Sequence, residues 1–168
     1  ARREPLFTGT SVLFHVAILI VPVFLAGHVA LWARSTGLSW PAIPSGVADV
    51  LTILAIVTAA GLALLRLTAA ATRAISKPSD YALLAAVALP FASGFLVMHP
   101  ALNPFSYEAM LFVHVMSGNL VFVLLPTTKL THAVLLVGTQ VVAEVGWHWP
   151  ADAGSRVGAA LGKEAEPV

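Results

Sequence analysis

No cysteine occurs in the 168 residues, and charge is scarce, with Lys, Arg, Asp and Glu together making up 10% of the chain. The first absence removes thiolate-held iron–sulfur clusters, Cys-x-x-Cys-His haem attachment and cysteine zinc sites that this chain could build alone. Any redox cofactor has to be held by other ligands. The second absence rules out an ordinary soluble domain, in which about a quarter of residues are charged and about half apolar. Nine basic against eight acidic side chains leave a formal charge of +1, so the whole-chain charge offers no electrostatic case for nucleic acid. What the chain has in abundance is apolar surface: 58% of residues are hydrophobic and the mean hydropathy is +0.89. The class that remains is an integral membrane protein.

A helix that crosses a hydrocarbon core about 30 Å thick needs about 20 residues at 1.5 Å each. Four apolar runs meet this: 12–32, 47–65, 81–98, and one from 107 to at least 125, where Pro126 should kink or end the helix. A Pro/Gly/Ser-bearing stretch, 35–46, reads as the first loop. A fifth stretch, 133–147, is short and contains Gln140 and Glu144, so it reads as an interfacial or partner-facing helix, with a fifth crossing as the alternative. The expected fold is an all-α transmembrane helical bundle over 1–150, followed by a polar tail, 151–168. Short cytoplasmic loops accumulate Lys and Arg. Arg2 and Arg3 precede the first span, Arg66, Arg73 and Lys77 lie between the second and third, and Lys129 follows the fourth, against Arg34 alone on the other side. The N-terminus and the loop near residue 75 are therefore expected in the cytoplasm, in the inner membrane of a prokaryote. The first run is long enough to span and lacks a small-residue cleavage site, which favours a retained helix over a signal peptide.

Ionisable groups inside a bilayer are rare and costly, so histidines within spans are candidates for function. Of the six, His15 and His28 fall on the first span and His114 and His132 on the fourth or its continuation, while the second and third spans contain none. Two facing helices that each offer imidazoles are what bis-His ligation of haem in a bundle requires. Chain direction sharpens this. The first span runs outward and the fourth inward, which pairs His28 with His114 near the outer face and His15 with His132 near the cytoplasmic face. The two levels are separated by roughly 20 Å on the first helix and roughly 27 Å on the fourth, and Pro22 and Pro126 lie between the histidines of each. On ideal helices eighteen residues return His132 to the azimuth of His114, whereas thirteen leave His28 about 140° from His15. The competing reading is that some of these histidines only hydrogen-bond a neighbouring helix.

The run Leu13-Phe14-His15 through Leu25-Ala26-Gly27-His28, His114, and Leu125-Pro126-Thr127-Thr128-Lys129-Leu130-Thr131-His132 resembles the gamma subunit of respiratory nitrate reductase and its relatives. Those relatives include the membrane cytochromes linked to heterodisulfide reductase and to dissimilatory sulfite reductase. The Pro-x-x-basic-Leu-x-His element and the eighteen-residue interval between its two histidines are the specific part; Gly-His on an apolar helix is weak by itself. The resemblance covers most of the chain from Leu13 to His132. It implies that His28, His114 and His132 ligate haem b, and that electrons pass between membrane quinone and an iron–sulfur partner subunit attached to a catalytic subunit. In those gamma subunits a second histidine of the early helix is expected downstream of Gly-His, near Leu38, and none is there. Either His15 takes its place and two haems are held, or the chain holds one.

Other polar residues have two readings each. His99, Asn103, Tyr107 and Glu108 cluster around the outer loop ahead of His114 and form a candidate quinone site with hydrogen-bonding groups and a base. They equally suit turn formation and the first turn of a helix. Arg34 and Arg66 suit haem propionates or lipid headgroups, His148 between Trp147 and Trp149 reads as an interfacial anchor, and Lys129 reads also as an orientation signal. The function expected is therefore a membrane-anchor b-type cytochrome of a respiratory oxidoreductase without a terminal substrate site of its own. Its rival is a haem-free transporter or assembly scaffold whose histidines serve packing or proton relay.

Overall fold

The computed structural model of the chain describes residues 5–132, 142, 152–160 and 162. Among these every regular element is helical. In chain order they are α1 (Pro5–Phe24), α2 (Ala26–Thr36), α3 (Ser45–Thr68), α4 (Ala70–Ile75), α5 (Pro78–Met98), a 3₁₀ turn (Pro100–Leu102), α6 (Tyr107–Thr127), a second 3₁₀ turn (Lys129–Thr131) and α7 (Ala153–Ala160). Four of them, α1, α3, α5 and α6, are long and apolar enough to cross a membrane. The chain is an all-α membrane protein. The stretch 133–147 and His148, expected as an interfacial helix and an aromatic anchor, lie outside the described residues apart from Val142.

Helix starts follow local chemistry that hydropathy alone does not register. Pro5 and Pro78 occupy first helical positions, where a missing N–H is harmless and the fixed φ suits a helix. Asp80 accepts the Lys77 N–H at 2.8 Å and so closes the start of α5. At α6 the Ser106 hydroxyl accepts the Ala109 N–H at 3.2 Å, with Glu108 in the first turn next to the positive end of the helix dipole.

Within residues 1–121, a compact unit, α3 packs against both α1 and α5. Its buried seam is made of small residues at helical spacing, Ala48, Thr52, Ala55, Ala59 and then Leu62, and the neighbouring helices bury Phe14, Ala17 and Val21 of α1 and Val87 and Phe91 of α5. Helices in lipid gain nothing from hiding Leu from Leu, and small residues let backbones approach closely enough for dispersion to hold them. Thr52 and Thr58 return their hydroxyls to backbone carbonyls one turn back, so these buried groups are paired. Leu19, Val50, Val57, Leu64 and Phe112 point outward, as a lipid-facing surface requires.

The expected first span, 12–32, is not one helix. Leu25 is extended (φ −65°, ψ 132°) and separates α1 from α2, three residues after Pro22. An extended residue lifts the amides of 26–28 off the carbonyls of 22–24, which in lipid would leave three acceptors unpaired at several kcal/mol each. All three find other donors: His28 Nδ1–H to Pro22 O at 2.9 Å, Trp40 Nε1–H to Val23 O at 2.9 Å, and the Ile43 N–H to Phe24 O at 2.9 Å. The 140° offset between His15 and His28 assumed an unbroken helix and does not apply.

The residues from Phe122 onward form a second compact unit. Here α6 runs through Pro126 and stops at Thr127. Thr127, Thr128 and Thr131 donate their hydroxyls to the carbonyls of Val123, Leu124 and Leu125 at 2.8, 2.6 and 2.9 Å, which pairs the acceptors that a helix end exposes. His132 follows a 3₁₀ turn, so it does not continue α6. In α7, Arg156 Nε donates to Asp152 Oδ2 at 2.7 Å.

Candidate functional site

His28 opens α2 and His114 lies one third of the way along α6, and the fold brings them together. Their rings are parallel to within 9° and their centroids are 6.0 Å apart. Each ring is fixed by its Nδ1. His28 Nδ1 lies 2.9 Å from Pro22 O, and His114 Nδ1 lies 2.9 Å from Pro90 O on α5. A carbonyl oxygen can only accept, so Nδ1 carries the proton on both rings and Nε2 carries the lone pair. Among the described residues neither Nε2 has a hydrogen-bond partner. This is the arrangement of a metal-ligating histidine whose other nitrogen is held by a backbone carbonyl.

The position of His114 depends on a glycine. A Cβ added to Gly94 would lie 2.8 Å from His114 Cε1 and 3.0 Å from Nδ1, so the ring rests on bare α5 backbone that any other residue would cover. The neighbouring Ser93 donates its hydroxyl to Leu89 O and to Pro90 O, the carbonyl that also holds His114 Nδ1.

A haem is implied by two histidines on facing helices, and the pair can be tested against it. Imidazole–metal bonds are about 2 Å long, and ring centroids 6.0 Å apart leave room for one metal ion between the two imidazoles. Haem iron needs only two protein ligands, since the macrocycle supplies four. Among the described residues no group of three or more His, Cys, Asp or Glu is placed to hold a bare metal ion.

His15 and His132 carry the same backbone anchor. His15 Nδ1–H donates to Ser11 O at 2.7 Å and its ring meets Phe14 edge-on, and His132 Nδ1–H donates to Lys129 O at 2.5 Å. They belong to different compact units of the chain.

The outer-loop residues separate into different roles. His99, at the end of α5, donates Nδ1–H to Phe95 O at 2.9 Å, stacks on the Phe95 ring at 4.1 Å, and turns Nε2 toward Asp49 Oδ2 on α3 at 3.5 Å. Asn103 accepts the Phe105 N–H at 3.0 Å and shapes its own turn. Tyr107 and Glu108 are exposed at the start of α6. Between α5 and α6 is an apolar cleft of about 280 Å³ lined by Leu89, Ser93, Leu96, Phe105, Met110 and Val113 among others. Arg34 is exposed, and Arg66 places its guanidinium 5.6 Å above the Phe7 ring, a cation–π contact.

Gly94, Trp40 and Asp49 belong to this site and were not singled out from the sequence. Asp49 had a legible signal: it is a carboxylate inside the second apolar run, and the rule that marked the histidines marks it too. Gly94 and Trp40 act through tertiary contacts that no local pattern announces.

No protein-family model matches the chain, and no solved structure is significantly similar to it. The chain is 40% identical over 134 residues to a curated protein of Nitratidesulfovibrio vulgaris that is described only as a protein. The match takes in 80% of this chain and 58% of that relative, so the chain spans less than two thirds of the length of the relative it matches.

Proposed function

We propose that this chain is a b-type cytochrome subunit of a membrane oxidoreductase, in which His28 and His114 would hold one haem. The observation that carries the reading is the His28–His114 pair itself: parallel rings, centroids 6.0 Å apart, each Nδ1–H anchored on a backbone carbonyl. Bound there, haem supplies a one-electron redox centre inside the bilayer. The chain's own residues do the rest. The Pro22 and Pro90 carbonyls fix the tautomer and the orientation of both rings, and Gly94 leaves room for His114.

The reading extends in three directions. His15, anchored on Ser11 O, and His132, anchored on Lys129 O, are each a candidate ligand of a further haem. Quinol is the lipid-soluble electron donor, or quinone the acceptor: the apolar cleft between α5 and α6 suits a flat lipophilic ring, and the His99–Asp49 pair accepts the protons that a quinol loses with its electrons. Because the chain has no cysteine, iron–sulfur centres that continue the path belong to a partner subunit, and the terminal reaction to a catalytic subunit. Arg66, Arg73, Lys77 and Lys129 at one level against Arg34 at the other support a cytoplasmic N-terminus in a prokaryotic inner membrane.

The test is the reduced-minus-oxidised spectrum of the chain purified from its membrane in detergent. A b-type α-band that vanishes in both His28→Ala and His114→Ala supports the reading. A chain without haem, or full haem content in either variant, contradicts it.

A further inference from the structure

We propose that the loop between α2 and α3 is a latch that holds the first span broken at Leu25, and that Trp40 is thereby a positioning residue for His28. Three carbonyls, Pro22 O, Val23 O and Phe24 O, are released by the break. One is taken by His28 itself. The other two are taken by the loop, Val23 O by Trp40 Nε1–H and Phe24 O by the Ile43 N–H, both at 2.9 Å. Gly37, in the left-handed region at φ 79°, ends α2 and turns the chain back toward α1. The Trp32 and Trp40 rings, 6.3 Å apart, seat the loop against α2.

In lipid an unpaired carbonyl must find a donor, and the nearest alternatives are the amides of Gly27 and His28. Without the loop donors the ladder therefore closes again across Leu25. Closing it returns Pro22 O to the Ala26 amide and rotates α2 toward the orientation of an unbroken helix, which carries His28 Nδ1, six residues on, away from Pro22 O. The broken and closed spans are two discrete states of one element, and the loop selects the first. A tryptophan that served only as an interfacial anchor would have no bearing on the direction of α2.

The absence of cysteine makes the break directly measurable. Spin labels at Val16→Cys and Leu31→Cys, both exposed, flank Leu25 by fifteen residues that would span about 22 Å in a continuous helix. Three backgrounds are compared in detergent or nanodiscs: the unaltered loop, Trp40→Phe, which keeps the ring and loses the N–H, and Ile43→Pro, which loses the backbone donor. Ile43→Ala, which keeps the amide, is the control. The expected result is one distance in the unaltered loop and in Ile43→Ala, and a shift toward the continuous-helix distance in Trp40→Phe and Ile43→Pro. Distances unchanged in both donor-deleted chains overturn the latch, with or without haem. The positioning role rests on His28 as a ligand and has its own readout: the ferric low-spin EPR signal changes shape in Trp40→Phe and not in Ile43→Ala. A distance shift with an unaltered EPR signal contradicts the positioning role while leaving the latch. A chain without haem contradicts the cytochrome reading and leaves the distance measurement to decide the latch.

Discussion

Replacing Gly94 with alanine isolates one contact of the site. The added Cβ would lie 2.8 Å from His114 Cε1 and 3.0 Å from Nδ1. Carbon atoms in contact prefer about 3.5–4.0 Å, so the imidazole has to retreat by roughly 0.7–1.2 Å. That motion strains the 2.9 Å bond from Nδ1 to Pro90 O and shifts the His114 ring relative to that of His28. Overpacking of this size costs about 1–3 kcal/mol, and at 1.4 kcal/mol per decade haem affinity falls by about 5- to 150-fold. Helix propensity pulls the other way, because alanine is favoured over glycine in a helix interior by about 1 kcal/mol. The signature is therefore a drop in haem affinity larger than any loss of bundle stability, because the propensity gain offsets part of the overpacking in the fold and none of it at the haem. Haemin titration of the apoprotein in detergent reads the affinity, and thermal melting followed by circular dichroism reads the bundle. Gly118→Ala on α6, where an added Cβ meets nothing within 4 Å, is the control and should bind haem as the unaltered chain does. Equal haem affinity in the Gly94→Ala and Gly118→Ala chains would refute the reasoning.

His15→Ala and His132→Ala are each expected to lower haem from two per chain to one while the His28–His114 haem stays; two haems retained in either variant would exclude that residue as a ligand. Asp49→Asn removes the carboxylate facing His99 Nε2 and should slow quinol-driven haem reduction about 10²-fold or more without lowering haem content; an unchanged rate would remove the pair from the proton path. Single cysteines introduced at Ser39 and Ser76 test orientation, since with the N-terminus in the cytoplasm only the first reacts with an impermeant maleimide added to intact cells; the reverse labelling would invert the topology.

Membrane spans are the most legible feature of this chain because twenty apolar residues in a row have few alternatives. The four runs correspond to α1–α2, α3, α5 and α6, and the structure moves their ends mainly where Pro5, Ser45 and Pro78 start helices earlier than hydropathy suggests. The break at Leu25 was hidden for a physical reason. Proline at 22 removes one donor, yet the site of rupture is set by which carbonyls the loop can satisfy, and Trp40 and Ile43 are distant in sequence from the residues they cap. The pairing of His28 with His114 was readable from the direction of the spans alone. What anchors them was not, because Pro90 O and the bare backbone at Gly94 come from a third helix on which no histidine of the pair resides. Asn103 shows the opposite case, a polar residue near a candidate site whose side chain pairs within its own turn.

The most direct test of the central claim is the EPR spectrum of the oxidised chain at low temperature. Two imidazoles on one iron with planes 9° apart give a low-spin rhombic signal, distinct from the strongly axial signal of crossed rings. The account predicts that rhombic signal in the unaltered chain and its loss in His28→Ala. A chain whose haem gives only a high-spin signal, or a low-spin signal that survives His28→Ala unchanged while His15 and His132 are also replaced, contradicts ligation by His28 and His114.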